Sequence, residues 1–452
     1  MKIKLYRHRA TIGAAVAILM VLPLVLSCEA AGLDNSASGD AGDTALIQQV
    51  MRLVQQRYVE PVKPDELTND ALKGMLSSLD PHSDYMDASE YQTMQSDLRG
   101  KFGGIGIELT LQNGRPQVIS PIDGTPAAEA GMEPGDVIAK INGRPTIGLS
   151  LQEIVTTLRG TPGSSVNLEI TRANHAPIDM TLTRRIINVV TVKSHLEGRG
   201  IGYVRISTFG ERTQSEFVDA VSALKRRANG NLTGLVLDLR NDPGGLLEAA
   251  VDISSDFLDS GTVVTTRGRL SGDNHAFDVT SRSDRLEGVP MVVLINSASA
   301  SAAEIVTGAL QDHHRATVMG TRSFGKGSVQ TIIPLGDRGA VRLTTARYYT
   351  PSGHSIQDQG IVPDIIVGVP KDEQVANATV LREVDLAHAL RNTGSLDNSH
   401  PGPEGSKAGG TSEGSDVPIN PALIGTERDS QLQAAIRYLE GNATTRPGRQ
   451  GG

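Results

Sequence analysis

Ser301 and Lys326 are two side chains of this 452-residue chain whose types and setting suit nucleophilic chemistry. Ser301 ends a run of small residues (Ser297, Ala298, Ser299, Ala300) and precedes Ala302, Ala303 and Glu304. A hydroxyl there attacks a carbonyl once a base removes its proton. Lys326, in the Gly-punctuated loop 321–327 (TRSFGKG), serves as that base only where burial or neighbouring cations lower its pKa toward the working pH. Phe324 close by, and the absence of acidic residues between Arg315 and Leu335, are compatible with such a shift. The plainer alternative makes Ser301 a helix N-cap, since Ser301-Ala302-Ala303-Glu304 fits the S-x-x-E capping box, and leaves Lys326 a solvated loop cation. The residues alone leave these two readings open.

The elements that must position the pair are readable around them. Met291, Val292, Val293, Leu294 and Ile295, bounded by Pro290 and Asn296, predict a strand buried on both faces. Glu304, Ile305, Val306, Leu310 and Asp312 predict the helix that follows. A serine at such a strand-to-helix turn lies on the carboxyl edge of the sheet, where α/β folds place their chemistry. Upstream, predicted strands at 201–206, 235–239 and 263–266 alternate with helices at 213–227 and 245–258. That alternation predicts a βαβ-type layered fold with a largely parallel sheet. Further strands are predicted at 331–334 and 341–349.

Composition removes several function classes. A net charge of -8 without a basic tract argues against nucleic acid. Aromatic residues are 3% of the chain and tryptophan is absent, so stacking platforms are not expected. The single cysteine excludes an intramolecular disulfide framework. Without Cys/His ligand spacing, neither a metal nor another cofactor is expected. Asp80-Pro81-His82-Ser83-Asp84-Tyr85 reads as a Pro-started turn capped by Asp and Ser rather than a metal site. His313 and His314 lie some three helical turns past Ser301, out of reach of its hydroxyl, and are expected at the surface.

The first 31 residues carry Lys2, Lys4, Arg7 and Arg9, an apolar run at 10–26, and Ser27-Cys28-Glu29-Ala30-Ala31. This is a secretory signal. Cleavage near Ala30 or Ala31, retention as an anchor, and lipidation of Cys28 at an imperfect lipobox all stay open, and each exports the rest of the chain. The expected location is the periplasmic side of a bacterial cell envelope, membrane-attached only through this N-terminal segment.

The run INSASASAAEIVTGALQD, followed by GTRSFGKGSVQ, resembles the signature of the carboxy-terminal processing proteases. These are Ser/Lys endopeptidases in which a PDZ domain precedes the catalytic core. The resemblance implies Ser301 as nucleophile, Lys326 as general base and Gln330 as the glutamine that orients it. Ser297-Ala298 departs from the family pattern, which has two glycines there. The segment 238–245 (DLRNDPGG) resembles the family turn that supplies an oxyanion-hole amide, from Gly244 or Gly245, with Ala302 N–H as second donor. Residues 102–109 (FGGIGIEL), 131–138 (GMEPGDVI), the turn Ile141-Asn142-Gly143 and a helix at 151–158 look like a PDZ domain. Such domains add a peptide carboxy terminus to a sheet edge. Its carboxylate would sit on the backbone N–H groups of Gly103, Gly104, Ile105 and Gly106. Arg159 either compensates the helix dipole or, as in some relatives, couples peptide binding to the active site.

The implied fold is α/β, a crotonase/Clp-protease-like layered catalytic core with a preceding or inserted β-rich PDZ domain and N-terminal helices that in the family help dimerisation. The expected domains are 1–31 signal or anchor, 32–43 tether, 44–99 helical region, 100–186 PDZ domain and 187–370 catalytic core. A helical extension at 371–393, a disordered linker at 394–418 and a helix with tail at 419–452 complete the chain. Leu432, Ala435, Ile436 and Leu439 give that last helix an apolar face, to dock on the core or on a partner subunit. The partners implied are protein or peptide substrates held by their carboxy termini, an activating adaptor protein and a second copy of the chain. Two rivals stand beside this reading: a catalytically silent PDZ scaffold, and a Ser-His-Asp hydrolase using a distant histidine such as His82.

Overall fold

The computed structural model describes residues 40–112, 114–122, 124–173, 175–198, 200–280, 284–375, 380–392, 416–417 and 419–444. The expected signal segment with Cys28, nearly all of the expected linker and the final residues lie outside them. The chain divides into two units, residues 1–67 and 68–452. In the first, the helix Asp40–Arg57 starts within the stretch expected as tether and leaves Leu46, Ile47, Val50 and Leu53 exposed. Among the described residues no helix is long and apolar enough to cross a membrane.

The second unit is built around Met291–Ile295, all five residues of which are buried. It lies between Gly234–Asp238 and Thr317–Gly320, parallel to both, in a six-stranded sheet. That sheet is extended on one side by Ile201–Ile206 and antiparallel Val192–Glu197, and on the other by Ile365–Ile366. The two-residue period of a strand divides the sheet's side chains between two cores. Leu235, Leu237, Met291, Val293 and Ile295 pack with the helices Thr213–Arg227, Leu247–Ser255 and Ala302–Asp312. Val236, Val292 and Leu294 pack instead with Leu432, Ala435, Ile436 and Leu439 of the helix Ser430–Thr444. That helix therefore docks on the core of its own chain. Each of its large apolar side chains contributes about 1.5–3 kcal/mol by burial.

The strand expected at 263–266 is present as Thr262–Gly268 but leaves the parallel sheet. A parallel neighbour requires a long crossover, whereas here the partner His275–Asp278 follows after six residues and pairs as a hairpin. The resulting antiparallel sheet also holds Ala340–Tyr349, Ser328–Pro334 and Asp84–Met86. The Lys326 loop runs directly into Ser328–Pro334, so the two sheets together carry the two halves of the expected dyad.

Residues 101–188 form a β-rich domain. Ile107–Gln112, Arg115–Pro121, Val137–Ile141, Ser165–Thr171 and Ile178–Thr183 make its sheet in that order, over a core that includes Ile105, Ile138, Ile154, Val166 and Ile170. Ile107–Gln112 is one of its two edge strands, and the helix Leu151–Leu158 lies next to it.

Candidate active site

Ser301 occupies the turn between Met291–Ile295 and the helix Ala302–Asp312 with φ +56° and ψ -116°. A non-glycine residue held there costs about 1–3 kcal/mol, sustained only by surrounding contacts. Those contacts are visible. Asn296 N–H donates to Ser299 Oγ (2.9 Å), and Ser299 Oγ donates to the Leu239 carbonyl (2.8 Å). Asn296 Oδ1 accepts from the amides of Ala298 (3.1 Å) and Asn241 (3.0 Å). Asn296 thus organises the turn where Ser297-Ala298 stand in place of two glycines.

Glu304 does more than cap this helix. Fully buried, it accepts from the Ser301 and Lys326 amides on one oxygen (2.8 and 3.0 Å), and from Gly325 N–H (2.7 Å) and the Ser323 hydroxyl on the other. One carboxylate therefore fixes the backbone of Ser301 to the backbone of Lys326. Burial pushes its pKa up to about 7, against these four hydrogen bonds. The Lys326 amine is held below its ordinary range, first by burial and next by the Arg342 guanidinium, while Glu383, Glu304 and Asp80 pull it back. Lys326 lines an open cleft of about 410 Å³ with Pro243, Ser297, Ala298, Ala300, Phe324 and Leu381. The Gln330 amide donates to Ser328 Oγ (3.0 Å) and Thr344 Oγ1 (3.2 Å).

The turn 239–245 meets Ser301 closely. Ala300 N–H donates to the Asp242 carbonyl (2.9 Å). A Cβ on Gly244 would stand 2.7 Å from Ser301 Cβ and 2.8 Å from Ala302 N. The Gly244 amide, however, donates to Asp242 Oδ1 (2.8 Å), which leaves Gly245 as the glycine of this turn able to serve an oxyanion. Among the described residues, neither Gly245 N–H nor Ala302 N–H has a hydrogen-bond partner. Asp242 is buried with its second oxygen unpartnered, and burial raises its pKa well above the carboxylate range. Behind this turn Arg240, fully buried, bridges Asp238 and Asp429 with two nitrogens to each. It anchors the entry to the last helix against the turn. Breaking such a buried pair on one side costs about 3–5 kcal/mol.

Several residues near Lys326 escaped the sequence reading because they arrive from distant segments. Tyr348 donates to the Lys326 carbonyl and is raised above the ordinary phenol range chiefly by burial. Asp80, expected only to cap a turn, also accepts from Thr344 Oγ1 (3.0 Å). His82 directs Nε2 to the Glu383 carboxylate (2.8 Å), not to Ser301. His313, expected at the surface, is half-buried, with Nε2 against the Thr262 carbonyl (2.8 Å).

In the β-rich domain a groove of about 220 Å³ runs between the edge strand and the helix Leu151–Leu158, lined by Gly104, Ile105, Gly106, Leu109, Val155 and Arg159 among others. Gly103 is placed elsewhere. It pairs within Lys101–Gly104 against Arg185–Asn188, and its α-carbon packs on the Gly160 carbonyl. Arg159 lies over the Phe102 ring (4.3 Å) and pairs with Asp97 (2.6 Å).

A model of peptidase family S41 matches residues 200–367, and a PDZ-domain model matches 117–172. A model described as the activating protease CtpB N-terminal domain matches 27–90. The chain is 44% identical over 413 residues, 91% of each chain, to a carboxy-terminal-processing protease of Bartonella bacilliformis. The chain belongs to the carboxy-terminal processing proteases. This processing protease is also 34% identical over 360 residues to carboxy-terminal processing protease CtpA of Bacillus subtilis, covering 79% of this chain and 76% of that one. Among solved structures it is similar to a photosystem II D1 C-terminal processing protease, with 29% identity, TM-score 0.45 and coverage of 72% of this chain and 93% of that one. It is thus a serine peptidase with a mixed helix/sheet S41 fold and a PDZ domain.

Proposed function

We propose that this processing protease is an exported endopeptidase that captures a substrate's carboxy terminus in its PDZ groove and cleaves nearby with a Ser301/Lys326 dyad. Neutral Lys326 takes the proton of Ser301, whose oxygen attacks the scissile carbonyl. Gly245 and Ala302 N–H hold the oxyanion. Lys326 then delivers its proton to the leaving amine, and water, deprotonated by the same lysine, releases the acyl group. Gln330, expected to orient Lys326 by a direct hydrogen bond, instead reaches Ser328 Oγ and Thr344 Oγ1 and acts on the lysine only through the strand Ser328–Pro334 into which the lysine loop runs.

The observation that carries this reading is Lys326 itself. It lines the cleft that begins at Ala300, its amide is tied to the Ser301 amide by Glu304, and burial holds its pKa below the ordinary lysine range. The apolar walls of that cleft suit an apolar substrate side chain. PDZ capture is supported by the unpaired edge strand and by the groove that starts at Gly104. Export is supported by the basic start and apolar run of the first 31 residues. The match at 27–90 supports an activating adaptor as partner, and the exposed apolar face of Asp40–Arg57 supports self-association.

The test compares the chain from Gly32 onward with Ser301→Ala and Lys326→Ala on an unfolded protein such as casein, with and without candidate carboxy-terminal peptides. Cleavage by the unsubstituted protein alone is expected. Cleavage by all three refutes the dyad.

A further inference from the structure

A continuous chain of hydrogen bonds drawn from five separate parts of the sequence begins and ends on the Lys326 loop. Gln330 Nε2 donates to Thr344 Oγ1 (3.2 Å), and Thr344 Oγ1 donates to Asp80 Oδ1 (3.0 Å). The same Asp80 oxygen accepts the His82 amide (2.9 Å), and His82 Nε2 meets Glu383 (2.8 Å). Gln357 Nε2 donates to Glu383 Oε1 (3.1 Å), while Gln357 Oε1 accepts Gly327 N–H (2.9 Å), next to the lysine. The chain thus leaves the lysine loop at Gln330 and returns to it at Gly327.

Glu383 is the member that closes it. Fully buried, it lies on residues 380–392, beyond the matched span of the peptidase model. Its own amide donates to the Phe324 carbonyl (3.1 Å), so this segment is fastened to the lysine loop by main chain and by side chain. Two residues earlier, Leu381 lines the active-site cleft. A structural carboxylate needs none of this proximity to the base. Buried near a lysine, a carboxylate stabilises its protonated form, and removing the carboxylate favours the free amine.

We propose that Glu383 is a positioning residue of this protease: it closes the chain of hydrogen bonds that leaves and re-enters the Lys326 loop, and its carboxylate opposes the Arg342 guanidinium at that lysine. The assignment rests on Lys326 being the general base. The charged and titratable groups facing Lys326 are Arg342 from Ala340–Tyr349, Glu304 from the helix Ala302–Asp312, Asp80 from the turn before Asp84–Met86, and Glu383. His82 and Tyr348 complete its surroundings. Burial and Arg342 depress the lysine, and Glu383 is the first of the groups opposing them.

The experiment measures kcat/KM of the exported form against pH for the unsubstituted protein, Glu383→Gln, Glu383→Asp, Arg342→Gln and Lys326→Ala. The ascending limb of the profile reports deprotonation of the base in the free enzyme. With Glu383→Gln it is expected to move to lower pH by about half a unit or more. With Glu383→Asp, which keeps the charge, it stays in place. A Glu383→Gln protein with lower activity and an unmoved limb makes Glu383 merely structural and overturns the proposal. Should that variant not fold, Arg342→Gln carries the test: with the negative groups unopposed, the limb should move to higher pH, and an unmoved limb overturns the proposal. Activity retained in Lys326→Ala overturns the dyad and this assignment together. Loss of activity in Lys326→Ala with an unmoved limb in Glu383→Gln overturns this assignment alone.

Discussion

Replacing Gly244 by alanine tests the oxyanion geometry with one methyl group. Gly244 has φ +94°, and an added Cβ would lie 2.7 Å from the Ala300 carbonyl oxygen, 2.7 Å from Ser301 Cβ and 2.8 Å from Ala302 N. Carbon atoms pack at about 3.5–4.0 Å, so the serine turn must retreat by close to 1 Å. The backbone conformation alone costs about 1–3 kcal/mol of stability. Displacing the Ala302 amide from the developing oxyanion resembles loss of one donor, about 3–4 kcal/mol, or 10²–10³ in kcat. KM should change little, because the groove at Gly104–Arg159 is untouched. The control is Gly230→Ala, where φ is +82° and nothing lies within 4 Å of the added carbon. It should lower the melting temperature without lowering kcat. Steady-state cleavage of a fluorescent peptide, alongside thermal melts of all three proteins, decides the matter. If Gly244→Ala keeps kcat within about threefold and melts like the control, the turn does not constrain the oxyanion site and the reasoning fails.

Glu304→Gln should cut kcat by roughly tenfold or more, because an amide cannot accept all four hydrogen bonds and leaves a buried donor unpaired. Its folded pKa, about 7 against an ordinary 4.5, is raised. The stability it contributes is therefore fully present below pH 4.5 and lost as pH rises through 7. The interval corresponds to about 3 kcal/mol. Urea unfolding at pH 5.5 and pH 8 should show a decline in the unsubstituted protein that Glu304→Gln lacks, and parallel behaviour would contradict the assignment. Asp242→Asn should retain activity within about threefold, since burial already favours the neutral acid and an asparagine oxygen can still accept the Gly244 amide. A loss near that of Gly244→Ala would mean Asp242 works as an anion.

How far this site was legible follows from the range over which each residue's signal acts. Ser301 and its strand and helix are a local matter: an apolar run, small residues and a capping glutamate lie within fifteen positions, and each is dictated by neighbours in sequence. The same holds for Leu432, Ala435, Ile436 and Leu439, whose helical spacing announced a buried face. It did not reveal that Val236, Val292 and Leu294 would receive them, because the opposite faces of a doubly buried strand look alike in sequence. Thr262–Gly268 misled for a related reason. Its composition suits any strand, and only the short link to His275–Asp278 marks it as half of a hairpin.

Chemistry depending on charge at a distance was the least legible. Lys326 reads as an acid-free stretch in sequence, since no Asp or Glu occurs between Arg315 and Leu335. In space three carboxylates act on it, Glu304 from 22 residues before, Glu383 from 57 after and Asp80 from 246 before. The acid-free stretch around Lys326 is compatible with a lowered pKa, but it says nothing of the carboxylates that the fold brings in from elsewhere. Burial and Arg342 depress the lysine against these carboxylates. If Lys326 is the proposed base, this balance makes it adjustable. A lysine depressed by burial alone would be retuned only by repacking its surroundings. One held between Arg342 and Glu383 responds to any change that moves the segment 380–392, which is attached to the lysine loop at Phe324 and Gln357.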